Sequence, residues 1–138
     1  MKIRCISDSV SPENSSPAII KWANSSELEI TIGKIYTVMA ISKYYDVLFY
    51  YILSDESEEY PLAYPFNLFE ICDSNLSKYW DTSLTQLKST KDINIENGDI
   101  ISFNEWSTKG DRFYENLLEE VNDEVRIFRH YRDKMLVE

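Results

Sequence analysis

The residues that could do chemistry in this 138-residue chain are mostly carboxylates and aromatic rings. The search for reactive constellations therefore starts by elimination. There are three glycines, Gly33, Gly98 and Gly110, far apart and with no Gly-Lys-Ser/Thr ending, so no phosphate-cradling loop can be built. No serine has the flanking glycines of a nucleophile elbow. The one histidine, His130, stands between arginines in a helical pattern. It has no second histidine or cysteine pair near it in sequence, a poor start for a metal site. Cys5 and Cys72 each fall in a strand-like pattern and read as reduced, buried thiols rather than as half of a cysteine–histidine pair or as a disulfide. Carboxylates are numerous, but no spacing singles out a pair for acid–base work. These readings predict no catalytic residue, no metal and no cofactor.

What remains is surface chemistry. Asp55, Glu56, Glu58 and Glu59 place four acids in five residues at a predicted hairpin tip, and Glu119, Glu120, Asp123 and Glu124 form a second group at a helix junction. The formal net charge is −10, which repels nucleic acid and anionic lipid and attracts a basic protein. The same charge would also serve solubility alone, and the first acidic group would also keep a strand edge from pairing with another chain. Three Trp, ten Tyr and six Phe supply aromatic surface. Tyrosine beside exposed acids is the composition of a binding hot spot, and Trp22, Tyr44 and Tyr45 are the predicted anchors beside Asp55, Glu56, Glu58 and Glu59.

These residues need a scaffold. The chain is long enough for one domain, and its apolar fraction of 43% is that of a globular protein. Residues 1–7 alternate as a half-buried strand. Residues 8–29, rich in Ser, Asn, Pro and Glu, read as a long loop with one apolar patch, Ala18–Trp22. Gly33 marks a turn into a strand over Ile35–Ser42, apolar on both faces and therefore central in a sheet. A second strand spans Val47–Leu53. A short third, Tyr60–Tyr64, with Pro61 near its start and Pro65 just after it, reads as an edge or a strand end. A helical turn over 66–69 leads to a last strand, Glu70–Cys72. A strand over Leu76–Leu87 and a hairpin of Ile93–Ile95 with Ile100–Phe103 about Asn97-Gly98 are expected next. Two helical segments follow. The first is capped by Asp111, with Phe113, Leu117, Leu118 and Val121 on one stripe. The second starts at Asn122 and carries Val125, Phe128, Tyr131 and Met135 inward. No apolar run is long enough to span a membrane, and Met1–Ser7 lacks the apolar core of a secretory signal, so a cytoplasmic protein is expected.

The stretches Leu28–Val38 and Tyr64–Ile71, followed by Leu76–Trp80, Phe103–Trp106 and the terminal helix Val121–Leu136, resemble a group of small bacterial proteins with a Src-homology-3-like barrel. Many of them look like immunity proteins that sit beside secreted or contact-delivered toxins. The resemblance covers most of the chain outside residues 8–27. It implies an α+β fold: a small Src-homology-3-like β-barrel or rolled antiparallel sheet over 1–75, with a β-hairpin and C-terminal amphipathic helices over 76–138 packed on it as one domain. It carries no catalytic residues. The expected function is that of a monomeric immunity protein whose acidic surface occludes the active site of a basic toxin domain, a nuclease foremost. The alternative is an adaptor or small-ligand and peptide-binding module.

Overall fold

Strand β2 (Ile35–Tyr44) organises the sheet because it is shared by two three-stranded halves. The computed structural model describes residues 1–11, 13, 15–26, 28–81 and 95–138. Along Ile35–Thr37, β2 pairs antiparallel with β1 (Lys2–Cys5), which pairs in turn with β5 (Phe69–Asp73). Along Val38–Tyr44 it pairs with β3 (Val47–Ile52), which pairs with β4 (Leu62–Pro65). The order is β4-β3-β2-β1-β5, with a 3-10 turn (Phe66–Leu68) carrying the chain from β4 to β5. A two-residue strand, β6 (Ile100–Ile101), takes the edge of β2 opposite β3 at Ile41 and Ser42, beyond the end of β1. The sheet is thus antiparallel and open: among the described residues no ladder joins β4 to β5, so the expected barrel is not closed.

The prediction that β2 is apolar on both faces and central in the sheet is met from Val38 onward. Ile35 is exposed, Tyr36 buried and Thr37 half-buried, but Val38 through Ser42 are all buried. The register between Val38 and Ala40 admits one extra residue on β2, a bulge at Met39. A bulge bends a strand and increases its twist, which is what lets one strand serve both halves. Ser102, fully buried just after β6, donates from Oγ to the carbonyl of Met39 at 2.7 Å and so satisfies an acceptor at the irregularity.

Three helices close the chain: α2 (Asn104–Lys109), α3 (Asp111–Leu118) and α4 (Asn122–Leu136). Gly110 separates the first two at φ +62 and ψ −138, a conformation essentially restricted to glycine. Trp106 of α2 packs edge-on to Tyr51 of β3 at 5.0 Å and stacks on Phe113 and Tyr114. Phe103 stacks on Tyr131 at 4.2 Å. The predicted stripes are half right. Phe113, Leu117, Phe128 and Met135 are buried, but Leu118 and Val121 are exposed, because the chain turns between α3 and α4 with Glu120 at φ +59.

Several sequence expectations are corrected. Residues 8–29 are not one loop, because Pro17–Ser25 form helix α1. Ser16 caps it by accepting from the Ile19 amide, and Pro17 suits the first turn, where its missing N–H costs nothing. Cys72 is exposed while Cys5 is buried, and both are free thiols. Residues 76–81 are not a strand, and 82–87 lie outside the described residues. The Asn97-Gly98 turn is present, but β6 pairs with β2. Residues 93–94 of the expected hairpin also lie outside the described residues. Helix α2 was not anticipated. Gly110, not Asp111, is the N-cap of α3. Among the described residues no helix is long and apolar enough to cross a membrane.

Ser102→Ala removes the hydroxyl that donates to the Met39 carbonyl at the bulge. The expected cost is about 1–3 kcal/mol in urea unfolding with an unchanged m-value. A loss below about 0.5 kcal/mol would mean that the bulge does not depend on this bond.

Candidate functional site

The tightest turn in the sheet presents the most exposed aromatic side chain. Strands β2 and β3 are joined by two residues, Tyr45 and Asp46, both left-handed at φ +50 and +62. Two-residue hairpin loops take this form because it matches the twist of the strands, and they ordinarily place Asn, Asp or Gly there. A bulky residue such as tyrosine is strained in that position. The tip is held from outside by the 97–98 turn: the Asp46 amide donates to Asn97 Oδ1 at 2.8 Å, Asn97 Nδ2 donates to Asp46 Oδ1 at 3.1 Å, and the Gly98 amide donates to the Lys43 carbonyl at 2.8 Å. Tyr45 is 77% exposed on this rigid mount.

Beside it lies a cavity of about 530 Å³ between α1 and the hairpin. Lys21, Trp22, Tyr44, Tyr45, Phe49 and Ala63 are among the residues that line it. The cavity exists because α1 packs on β3: Ile19 is buried with Val47 and Phe49, and Ala18, Trp22 and Tyr44 flank them. Trp22 meets Tyr64 edge-on at 5.7 Å, and Tyr44 meets Phe49 at 6.4 Å. The Tyr44 hydroxyl donates to Asp111 Oδ1 at 2.5 Å. Burial, and then that carboxylate, push its pKa far above the usual tyrosine range, so it stays a neutral donor. The three aromatic residues singled out in the sequence, Trp22, Tyr44 and Tyr45, therefore meet in one place.

The acids singled out with them do not join that cavity. Asp55 is committed internally. It takes Lys34 Nζ at 2.6 Å, the Thr31 hydroxyl at 2.5 Å and the Tyr36 hydroxyl at 2.9 Å, and its amide binds the Glu29 carbonyl at 2.9 Å. Burial pushes the Asp55 carboxyl up, but the bonds from Lys34, Thr31 and Tyr36 outweigh it and hold the pKa below the usual value. Glu59 pairs with Arg129 of α4 at 2.9 Å, and Arg132 donates to the Glu58 carbonyl at 2.9 Å. The 54–59 turn is thus strapped to the 29–36 loop at one end and to α4 at the other, while the side chains of Glu56 and Glu58 remain exposed. In the second acidic group Glu124 is only 3% exposed and pairs with Lys109 at 2.9 Å, so it belongs to the helix packing and not to the surface.

A different set of carboxylates surrounds the hairpin tip. Asp46 forms it. Glu96 and Asp99 flank Asn97, the residue that clamps Asp46, and Asp111 holds Tyr44. All four are exposed, and none has an ion-pair partner among the described residues. Sequence reasoning missed them as a group because they come from three separate turns. The available signals were the polar pair between two β-rich runs at 45–46 and the acids bracketing Asn97-Gly98. Phe49 and Ala63 were missed as lining residues because only the placement of α1 makes a cavity beside them. Among the described residues no group of three or more His, Cys, Asp or Glu is placed to hold a metal ion.

Two outcomes follow from this geometry. Tyr45→Asn exchanges a strained residue for one that tolerates the left-handed region. Unfolding stability is expected to hold or rise by up to ~1 kcal/mol, whereas a loss of that size would give Tyr45 a structural role. Because the Asp55 pKa is depressed on folding, its contribution is complete above the ordinary aspartate value of about 3.9 and is lost as pH falls through the lower folded value. Urea midpoints measured from pH 7 to pH 2 should therefore fall less steeply at the acid end in Asp55→Asn than in the parent. Equal slopes would count against the Asp55 cluster as a source of acid sensitivity.

No protein-family model, no curated protein and no solved structure matches this chain, so the reading of the site rests on its own residues.

Proposed function

We propose that this is a binding protein, not an enzyme, and that it acts as an immunity protein: the hairpin tip and the adjoining cavity capture a basic bacterial toxin domain, a nuclease foremost, and block its active site. The observation that carries the reading is Tyr45, strained, clamped and 77% exposed at the rim of an aromatic cavity, with Asp46, Glu96, Asp99 and Asp111 on the adjoining turns and without ion pairs among the described residues. A rigid aromatic anchor beside a desolvated pocket is how a few residues come to dominate binding energy. Unpaired acids around it speed the encounter with a basic surface. The net charge of −10 and the resemblance of Leu28–Val38 and Tyr64–Ile71 to immunity-like proteins point the same way. The strand order, with a 3-10 turn between β4 and β5, supports reading the sheet as a Src-homology-3-like roll left open at that seam. Such a protein would work in the cytoplasm of the cell it protects. The cavity volume of about 530 Å³ is also that of a small-ligand site, which favours the adaptor or ligand-binding module as the second reading.

The test compares the parent with Tyr45→Ala and with an Asp46→Asn/Glu96→Gln double variant. Each immobilised protein is exposed to its own cell lysate, and the retained partner is then expressed with and without this chain. The expected partner is basic and arrests growth when expressed alone but not together with the parent protein. Its affinity is expected to fall about 30-fold in Tyr45→Ala. Its association rate is expected to fall with added salt, and less steeply in the double variant. A partner that is harmless alone would remove the immunity role. Binding that ignores Tyr45 and salt would remove the site.

A further inference from the structure

We infer that the partner site continues past Trp22 into a second subsite, which takes a lysine or arginine side chain from the same segment that fills the first cavity. This rests on the reading of the Trp22–Tyr45 groove as the partner site. The second cavity, about 380 Å³, is lined by Trp22, Glu29, Tyr60, Ala63 and Tyr64 among others. Trp22 and Ala63 line both cavities, so the two are neighbours across one indole ring, one apolar and one mixed in character.

The chemistry of the second cavity is that of a cation acceptor. The Glu29 carboxylate is half-buried and accepts from the Ser54 hydroxyl at 3.2 Å; among the described residues no cation lies within ion-pair distance of it. A carboxylate drawn out of water gains most from a charged donor. The nearby cation that could have served, Lys34, is already held by Asp55 at 2.6 Å. The Glu29 backbone is pinned, since its carbonyl accepts from the Asp55 amide, so the side chain is presented from a fixed base. Tyr64, 1% exposed, lines the same cavity, with its hydroxyl beside the Glu29 backbone N–H. Trp22 and Tyr60 add ring faces, the surface over which a guanidinium or ammonium is stabilised. One carboxylate and a phenol are too few for a metal ion and suit a single organic cation. A partner read this way presents an apolar side chain and a basic one on one extended stretch, which makes charge a local requirement as well as a long-range attraction.

The experiment uses the full chain, labelled with nitrogen-15, and two probes: N-acetyl-tryptophan amide for the first cavity and N-acetyl-arginine amide for the second. The tryptophan probe is expected to shift the amides of Trp22, Tyr44, Tyr45 and Ala63. The arginine probe is expected to shift those of Glu29, Tyr60 and Tyr64, and the Trp22 indole N–H should respond to both. Glu29→Gln keeps the bond from Ser54. It should weaken the arginine probe about tenfold, leave the tryptophan probe unchanged and otherwise preserve the spectrum. Arginine-probe shifts centred on exposed acids such as Glu56 or Glu96, or unchanged in Glu29→Gln, would overturn the second subsite and leave the first standing. Failure of the tryptophan probe at the groove would overturn the partner-site reading itself.

Discussion

A strand that pairs with β1 along its first three residues and with β3 along the rest has to bend between them, and the bend at Met39 is the constraint on which the remaining structure depends. The extra residue there changes the register, tilts the second half of the sheet and frees one edge of β2 beyond β1. β6 fills that edge at Ile41 and Ser42, and Ser102 satisfies the Met39 carbonyl. The short reach from Ser102 to Asn104 then sets where α2 begins. Trp106 thereby arrives against Tyr51, and the aromatic stack of Phe103, Trp106, Phe113 and Tyr114 builds outward from that contact. Helices and sheet share one core, in which Ile41, Tyr51, Phe103, Trp106, Phe113 and Phe128 are buried together.

The charge of −10 is not spread evenly in its effect. Where acids lie against basic residues, at Asp55 with Lys34, Glu59 with Arg129 and Glu124 with Lys109, they tie elements together and their field is locally cancelled. The exposed pair between Glu59 and Arg129 contributes little stability, as such pairs do. Its larger effect is to hold the 54–59 turn against α4. Around the hairpin tip the carboxylates of Asp46, Glu96, Asp99 and Asp111 have no ion-pair partner among the described residues. The dense acidic run in the sequence is therefore the less available one, and the dispersed acids are the ones that face solvent together.

The hairpin tip also opposes stability to use. A left-handed tyrosine costs conformational energy, and burying Tyr45 would recover some of it, yet the structure leaves that ring in water and clamps the turn beneath it. Strain that surrounding contacts enforce, with the ring left largely in water, is what the proposed partner site would require.

Much of the scaffold was legible along the chain. The strands expected at 35–42 and 47–53, the prolines beside β4, the helical turn expected at 66–69 and the inward stripe of α4 follow from local periodicity and backbone preference, and the structure shifts their ends by only one or two residues. The aromatic residues Trp22, Tyr44 and Tyr45 could be singled out by type. Helix α1 carried its own signal in Ser16-Pro17, which a bias toward reading Ser and Pro as loop obscured. Other features are not local properties. The bulge at Met39, the pairing of β6 with β2, the burial of Glu124 and the gathering of Asp46, Glu96, Asp99 and Asp111 each depend on which distant segment comes to lie alongside. Sequence determined most strands, the terminal helix, the net charge and the supply of rings and acids. Tertiary structure alone decided which acids are neutralised and which stay open, because a carboxylate's partner is set by distances across the fold and not by its neighbours in the chain.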